Sequence, residues 1–399
     1  MNSTLIKIRM AQVTRGMYIH KISGRWMDNP FWRVSFLVAD MKTLQTLQAL
    51  GDKDVWIDTS KGADIQRVTS TVLLEPAAAF VGESEPPPIR SEFGEEIARA
   101  QAIRDRAKAV MIVLLRDARM GNALSLEAAN DIIEELDDAI SRHPAAMLSV
   151  LRLRDKDDYT YLHSVAVAAL MIALGHQLNV EDDVLKDLGM AGLLHDIGKM
   201  GVAEAILNKP GPLDTKEMSL VRMHPQIGWD TLRNQAGISP VALDVCLHHH
   251  EKIDGSGYPE QLSGEKISLQ ARMGAICDIY DAVTSDRPYK NGWQPAEAIR
   301  HMAEWQNGHF DREIFHSFVK LIGIYPTGTL LRLASHRLAV VLRQGHISAL
   351  KPIVRVFRAL PSNKAIDPCV IDLDDHEDAI VGIEQPSDWD IDVLEVLRA

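Results

Sequence analysis

The chain has 399 residues, of which 46% are hydrophobic and 25% charged, with 25 Gly and 18 Pro; this excludes a disordered, collagen-like or bare coiled-coil protein and leads us to expect two or three structural units. Its 55 acidic and 43 basic residues give a formal charge of -12, which argues against a protein that coats nucleic acid through a broad basic face but leaves scope for a few local cations around a small anionic ligand. Cys246, Cys277 and Cys369 have no CxxC spacing, the start MNSTLIKIRM lacks the apolar stretch of a secretion signal, and the run Val165 to Leu174 is too short to span a bilayer, so the expectation is a cytoplasmic protein with no membrane anchor.

In chain order, residues 1–81 mix short β-branched and aromatic runs (LIKIRM, GMYIHKI, FWRVSFLV, DVWIDTS) with a helix-like stretch at MKTLQTLQAL, which predicts a small α+β unit. Residues 82–94, with three consecutive prolines, read as an extended linker. From 95 the pattern turns helical, first as a connecting segment over 95–144 and then as a helical domain over 145–325. Asp214 with Glu217 predicts a capping box, Ser239-Pro240 an N-cap with a first-turn proline, and Gly308 a helix end. Residues 326–399, with TGTLLRLAS, RLAVVLRQ and PIVRVFRAL, predict a short β-rich extension. The fold class is therefore mainly α, with a small α+β domain before the helical domain and a β-rich extension after it.

The chemistry concentrates between residues 163 and 281. This band holds His163, His195-Asp196, His224, His248-His249-His250, Asp278 and Asp281. One histidine on an apolar helix is ordinarily a packed residue, but imidazoles and carboxylates gathered without thiolates are the donor set of catalytic iron, manganese or zinc sites. His195 and Asp196 follow the apolar stretch LGMAGLL, so they end a buried helix, and Asp196 is placed to bridge two ions. Gly255-Ser256-Gly257 let the chain turn sharply after His249 and His250. Asp278 lies in ARMGAICDIYDAV, where an inward acid needs a partner or a metal; the alternative is that Asp278 and Asp281 line a solvated face. Lys199, Arg287 and Lys290 supply positive charge nearby in sequence.

The segments HDIGK (195–199) and HHEKIDGSGYP (249–259), with Tyr161 to Ser164, Met223-His224-Pro225 and Asp278 to Tyr289, closely resemble the HD-GYP domain, a branch of the HD phosphohydrolase superfamily known as a bacterial cyclic-di-GMP phosphodiesterase. The resemblance covers roughly residues 145–325. The N-terminal unit also looks like the small domain that often precedes HD-GYP. Carried over by position, the resemblance implies metal ligation by His163, His195, Asp196, His224, His249, His250 and Asp278, with Asp196 bridging. It implies a catalytic role for His195, Asp196 and Lys199, with Lys199 at the scissile phosphate. It also implies substrate binding by Lys199, Arg287 and Lys290 and by the signature loop Gly257, Tyr258 and Pro259. His248 falls outside the pattern and is expected to be structural. Some family members have a glutamate four residues before the first histidine; here that position is Tyr159, which favours two divalent ions, iron or manganese, over a site with a third metal.

The expected reaction is hydrolysis of cyclic-di-GMP to linear pGpG, and on to GMP if the pocket admits it, by a hydroxide activated between two ions. The alternatives are a catalytically silent cyclic-di-GMP sensor, an HD hydrolase of another cyclic dinucleotide or phosphate ester, and an interaction scaffold. A diguanylate cyclase (GGDEF) domain partner is an expectation by analogy, and the helical segment 95–140 either mediates a homodimer or covers the HD core.

Overall fold

The computed structural model describes residues 5–22, 36–38, 41, 44, 47, 54–59, 61, 89–153, 159–207, 209, 211–285, 292–305, 308–345 and 347–398. The chain divides into two compact units, one of residues 1–89 with 346–350 and one of residues 90–345 with 351–399.

In the first unit the β-branched runs form β1 (Leu5–Arg9), β2 (Tyr18–Ile22), β3 (Phe36–Leu37) and β4 (Asp54–Asp58), an antiparallel sheet in the order β1-β4-β2-β3. Alternation puts Ile8, Ile19, Val55 and Ile57 in its core. Of the helix expected at MKTLQTLQAL, Met41, Leu44 and Leu47 are described; all three are helical, and Leu44 and Leu47 join that core.

The second unit is built from helices α1 (Ile89–Met120), α2 (Glu127–Arg142), α3 (Pro144–Arg152), α4 (Tyr159–Gln177), α5 (Asp182–Leu194), α6 (Glu204–Leu207), α7 (Thr215–Val221), α8 (His224–Leu232), α9 (Pro240–His248), α10 (Leu269–Thr284), α11 (Pro295–Trp305) and α12 (Arg312–Ile322). Because α1 starts at Ile89, residues 89–94 are helical where the sequence predicted extended linker; the periodic apolar residues Phe93 and Ile97, both buried, draw the helix back toward the prolines. Helix α4 is apolar on every side, with Leu162 and all residues from Val165 to Leu174 buried, so it sits centrally and packs against α2, α3, α5, α10 and α12. The caps expected from sequence are present. Asp214 and Glu217 form a reciprocal box, and Ser239 accepts a hydrogen bond from the Ala242 amide. No described helix is long and apolar enough to cross a membrane.

The C-terminal segment forms β5 (Leu330–Leu333), β6 (Arg337–Arg343), β7 (Ile353–Ala359), β8 (Lys364–Asp372) and β9 (Ile380–Ile383), antiparallel in the order β8-β7-β6-β5-β9. Leu331, Leu333, Ala339, Val341, Val354 and Val356 form the core on one face. A last helix, α13 (Val393–Arg398), was not predicted. Buried Arg355 on β7 donates to the Val396 and Leu397 carbonyls at 2.5 and 3.3 Å, satisfying acceptors that the short helix leaves open.

Candidate active site

Five helices bring the band of histidines together. His163 comes from the first turns of α4, His195 and Asp196 from the end of α5, His224 from the start of α8, His249 and His250 from the end of α9, and Asp278 from α10. Their donor atoms fall into two sets, Asp196, His224, His249 and His250 in one and His163, His195, Asp196 and Asp278 in the other, with the atoms of each set within 4.8 Å of one another. Asp196 belongs to both. Its Oδ1 lies 3.2 Å from His224 Nε2 and 3.8 Å from His249 Nε2, while its Oδ2 lies 3.3 Å from His195 Nε2 and 3.6 Å from His163 Nε2. Asp278 Oδ1 lies 3.1 Å from His163 Nε2. The solvated-face alternative for Asp278 and Asp281 fails, since both are buried.

Four of the imidazoles are aimed by a hydrogen bond from the other nitrogen. The Nδ1–H of His195 donates to Gly192 O at 2.8 Å, that of His224 to Val221 O at 2.8 Å, and that of His249 to Val245 O and Cys246 O at 3.0 and 3.1 Å. Those carbonyls lie three or four residues back along the same chain segment, so the local backbone holds Nδ1 and turns Nε2 toward the cluster. His163 differs, because its Nδ1–H donates to Asp281 Oδ2 at 2.7 Å.

The packing that allows this is close. A Cβ added at Gly198 would lie 1.9 Å from His224 O and 2.4 Å from Gly228 N, so only glycine lets the turn after His195-Asp196 rest on α8. Gly257 is confined in the same way, with a Cβ falling 2.5 Å from Glu251 Cα. Glu251 pins the loop that follows, accepting the amides of Glu260 at 2.7 Å and Leu262 at 3.1 Å. Tyr258 stacks on His250, with centroids 4.8 Å apart and planes at 29°, and Arg222 lies 5.4 Å from the Tyr258 ring centroid. Pro259 follows in the same half-exposed loop, and Lys199 pairs with Asp196. Arg287 and Lys290 lie outside the described residues, as does the Tyr159 side chain. His248 stands apart from both sets, its Nδ1 bonded to Asp244 Oδ1 at 2.8 Å.

Electrostatics give the cluster its character. Burial disfavours charge on Asp196 and Asp278, but the neighbouring imidazoles, joined at Asp196 by Lys199, outweigh it and hold both carboxyls well below the usual range. Burial would also lower His195, yet the Asp196 and Asp278 carboxylates overcome it and raise the imidazole to about 9. His249 is driven well below its ordinary value by burial and by His250, His195 and His224 around it. His250 falls to about 3, burial outweighing the pull of Asp278. The result is two buried carboxylates that draw positive charge to the cluster, beside two imidazoles, His249 and His250, that favour the neutral, lone-pair form. His195 Nε2 and Asp196 Oδ1 are buried with no hydrogen-bond partner among the described residues. Orphaned polar atoms next to buried negative charge are what a divalent cation would satisfy, so the residues fit a metal centre.

Sequence reasoning gave no role to Asp281, Glu251 or Arg222. Asp281 was visible as an acid in the same helix as Asp278, and Glu251 as the acid after His249-His250, but a motif does not reveal which partner each one holds.

The chain matches the family described as HD domain over residues 131–314, and a domain of unknown function, DUF3391, over residues 5–129. It is 50% identical over 390 residues to the cyclic di-GMP phosphodiesterase PA4108 of Pseudomonas aeruginosa, covering 96% of this chain and 93% of that protein. It is 34% identical over 195 residues to the cyclic di-GMP phosphodiesterase response regulator RpfG of Xanthomonas campestris, covering 47% of this chain and 50% of that protein. It is 37% identical over 171 residues to 3'3'-cGAMP-specific phosphodiesterase 3 of Vibrio cholerae, covering 43% of this chain and 37% of that protein.

Proposed function

The chain belongs to the HD-GYP branch of the HD-domain phosphohydrolases, and from that premise we propose that it is a metal-dependent phosphodiesterase that hydrolyses cyclic di-GMP to linear pGpG, and on to GMP where the pocket admits the linear dinucleotide. The observation that carries this reading is the convergence of seven imidazole and carboxylate side chains in two sets that share Asp196.

In this reading His163, His195, Asp196 and Asp278 hold one divalent ion and Asp196, His224, His249 and His250 the other. When bound, such a pair, iron or manganese by its imidazole and carboxylate donors, supplies Lewis acidity and an acidified water. The chain's own side chains do the rest. The Lys199 ammonium, held by Asp196, offers positive charge to the phosphoryl oxygens, with Arg287 and Lys290 as further phosphate contacts. The loop of Gly257, Tyr258 and Pro259, pinned from beneath by Glu251, walls the substrate site. The backbone carbonyls and Asp281 keep the imidazoles aimed without reorganisation during turnover. A cytoplasmic location, a diguanylate cyclase domain as partner and a homodimer belong to the same proposal; co-purification and light scattering on the full chain test the last two.

The deciding experiment is anaerobic purification with metal analysis, followed by chromatographic assay of cyclic di-GMP and 3'3'-cGAMP turnover, beside a His195→Ala, Asp196→Ala double variant. Near two ions per chain, with pGpG or GMP formed only by the native protein, is the expected result. Binding without turnover under iron, manganese and zinc would make the protein a sensor. Preference for 3'3'-cGAMP would move it to the other substrate.

A further inference from the structure

A cavity of about 120 Å³ lies between α3, α4, α10, α12, the segment before β5 and the end of β6. Leu148, Leu151, Leu170 and Leu321 give it an apolar body. Its polar groups are few and unusual. Tyr280 is 4% exposed, and its hydroxyl has no hydrogen-bond partner among the described residues. Gln344 donates through Nε2 to the Ile322 and Tyr325 carbonyls, while its Oε1 is buried and unpartnered among the described residues. Arg152 makes one hydrogen bond, to Thr327 O at 2.8 Å, and no ion pair appears for it among the described residues. A second cation, the exposed Arg343, also borders the space. The one acid in the wall, Asp281, is already engaged by His163 and Ser285.

A guanidinium with a single carbonyl acceptor and a phenol hydroxyl with none among the described residues, set in a small, largely apolar space, are complementary to a small anion with an apolar body. The guanidinium fork holds a carboxylate through two hydrogen bonds, and a singly charged carboxylate meets less repulsion from Asp281 than a phosphate dianion would. We propose that this cavity is a regulatory site for a small carboxylate with an aromatic or short aliphatic body. A bound carboxylate would meet a guanidinium with no ion-pair partner among the described residues and a phenol hydroxyl free to donate. The regulatory element is Asp281, which walls the cavity and also fixes the aim of His163 into the metal cluster through its 2.7 Å hydrogen bond. Linkage then requires that ligand and metal change each other's affinity by the same factor.

The test is isothermal titration of the full chain with benzoate and with neutral benzamide. Saturable benzoate binding, weaker by about tenfold or more for benzamide and in Tyr280→Phe and Arg152→Met, is expected. Leu148→Trp, which fills the cavity, should abolish it; Tyr280→Phe removes a single oxygen and guards against a variant that merely fails to fold. Absence of saturable binding, or binding that Tyr280→Phe and Leu148→Trp leave unchanged, would overturn the site. Manganese titrations with and without saturating benzoate test the regulation, and equal manganese affinities would overturn that part. Neither readout uses nucleotide turnover, so the proposal stands or falls apart from the assigned reaction.

Discussion

Two ways of holding a histidine coexist in the metal cluster. His195, His224 and His249 are aimed by carbonyls three or four residues back along their own segments, whereas His163 is aimed by Asp281, 118 residues away in the chain. In the first, local helix geometry sets the aim of the ring, and any sequence that forms the helix end sets the ligand too. In the second, the ligand is set only when α4 and α10 have packed. The first kind should resist point substitution of neighbouring side chains, and the second should be open to tuning.

The largest expected effect removes the residue common to both metal-ligand sets. Asp196→Ala takes a donor from each, so metal content by elemental analysis should fall at both, and turnover should drop by about 10³-fold or more. Next comes Gly198→Ala, whose Cβ would press on His224 O and Gly228 N. It should lower stability by about 1–3 kcal/mol in chemical denaturation and loosen the backbone-held side of the cluster. The carboxylate-held side is tested by Asp281. Asp281→Leu should weaken metal binding by about 10–100-fold in a chelator competition, with Asp281→Asn less affected because its carbonyl still accepts from His163; equal affinities in all three proteins would show that the carboxylate orients nothing.

The smallest effect is a control on a carboxylate far from the cluster in sequence. Burial would raise the Asp378 pKa, but hydrogen bonds from Ser335 and Arg337 outweigh it and hold the carboxyl low. A folded pKa below the unfolded one contributes stability that is complete above about pH 4 and is lost as pH falls through the depressed value. Asp378→Asn should flatten this acid limb by about 1 kcal/mol or less while leaving metal content unchanged.

The same contrast explains what the sequence made legible. The motif residues from His195 to Lys199 and from His249 to Pro259 carry local chemistry at fixed spacing, so their grouping is readable from the chain alone. The caps at Asp214 and Ser239 are legible for the same reason. Asp281 could not be assigned, because its partner depends on how two helices pack. The start of α1 was missed because Pro-rich composition outweighed the periodicity of Phe93 and Ile97. Helix α13 was missed because it has only six residues and takes support from Arg355, a cation whose burial in a strand no local pattern announces.

The loop after His250 has a consequence for sequence drift. Its backbone is fastened from inside, by Glu251 to the Glu260 and Leu262 amides and by the Gly264 amide to Ile253 O, while Ser256 and Ser263 face outward. Such a loop can change the residues it shows to a neighbouring molecule without moving Tyr258 from the His250 ring. Relatives could therefore diverge in whom they meet while keeping the same chemistry beneath.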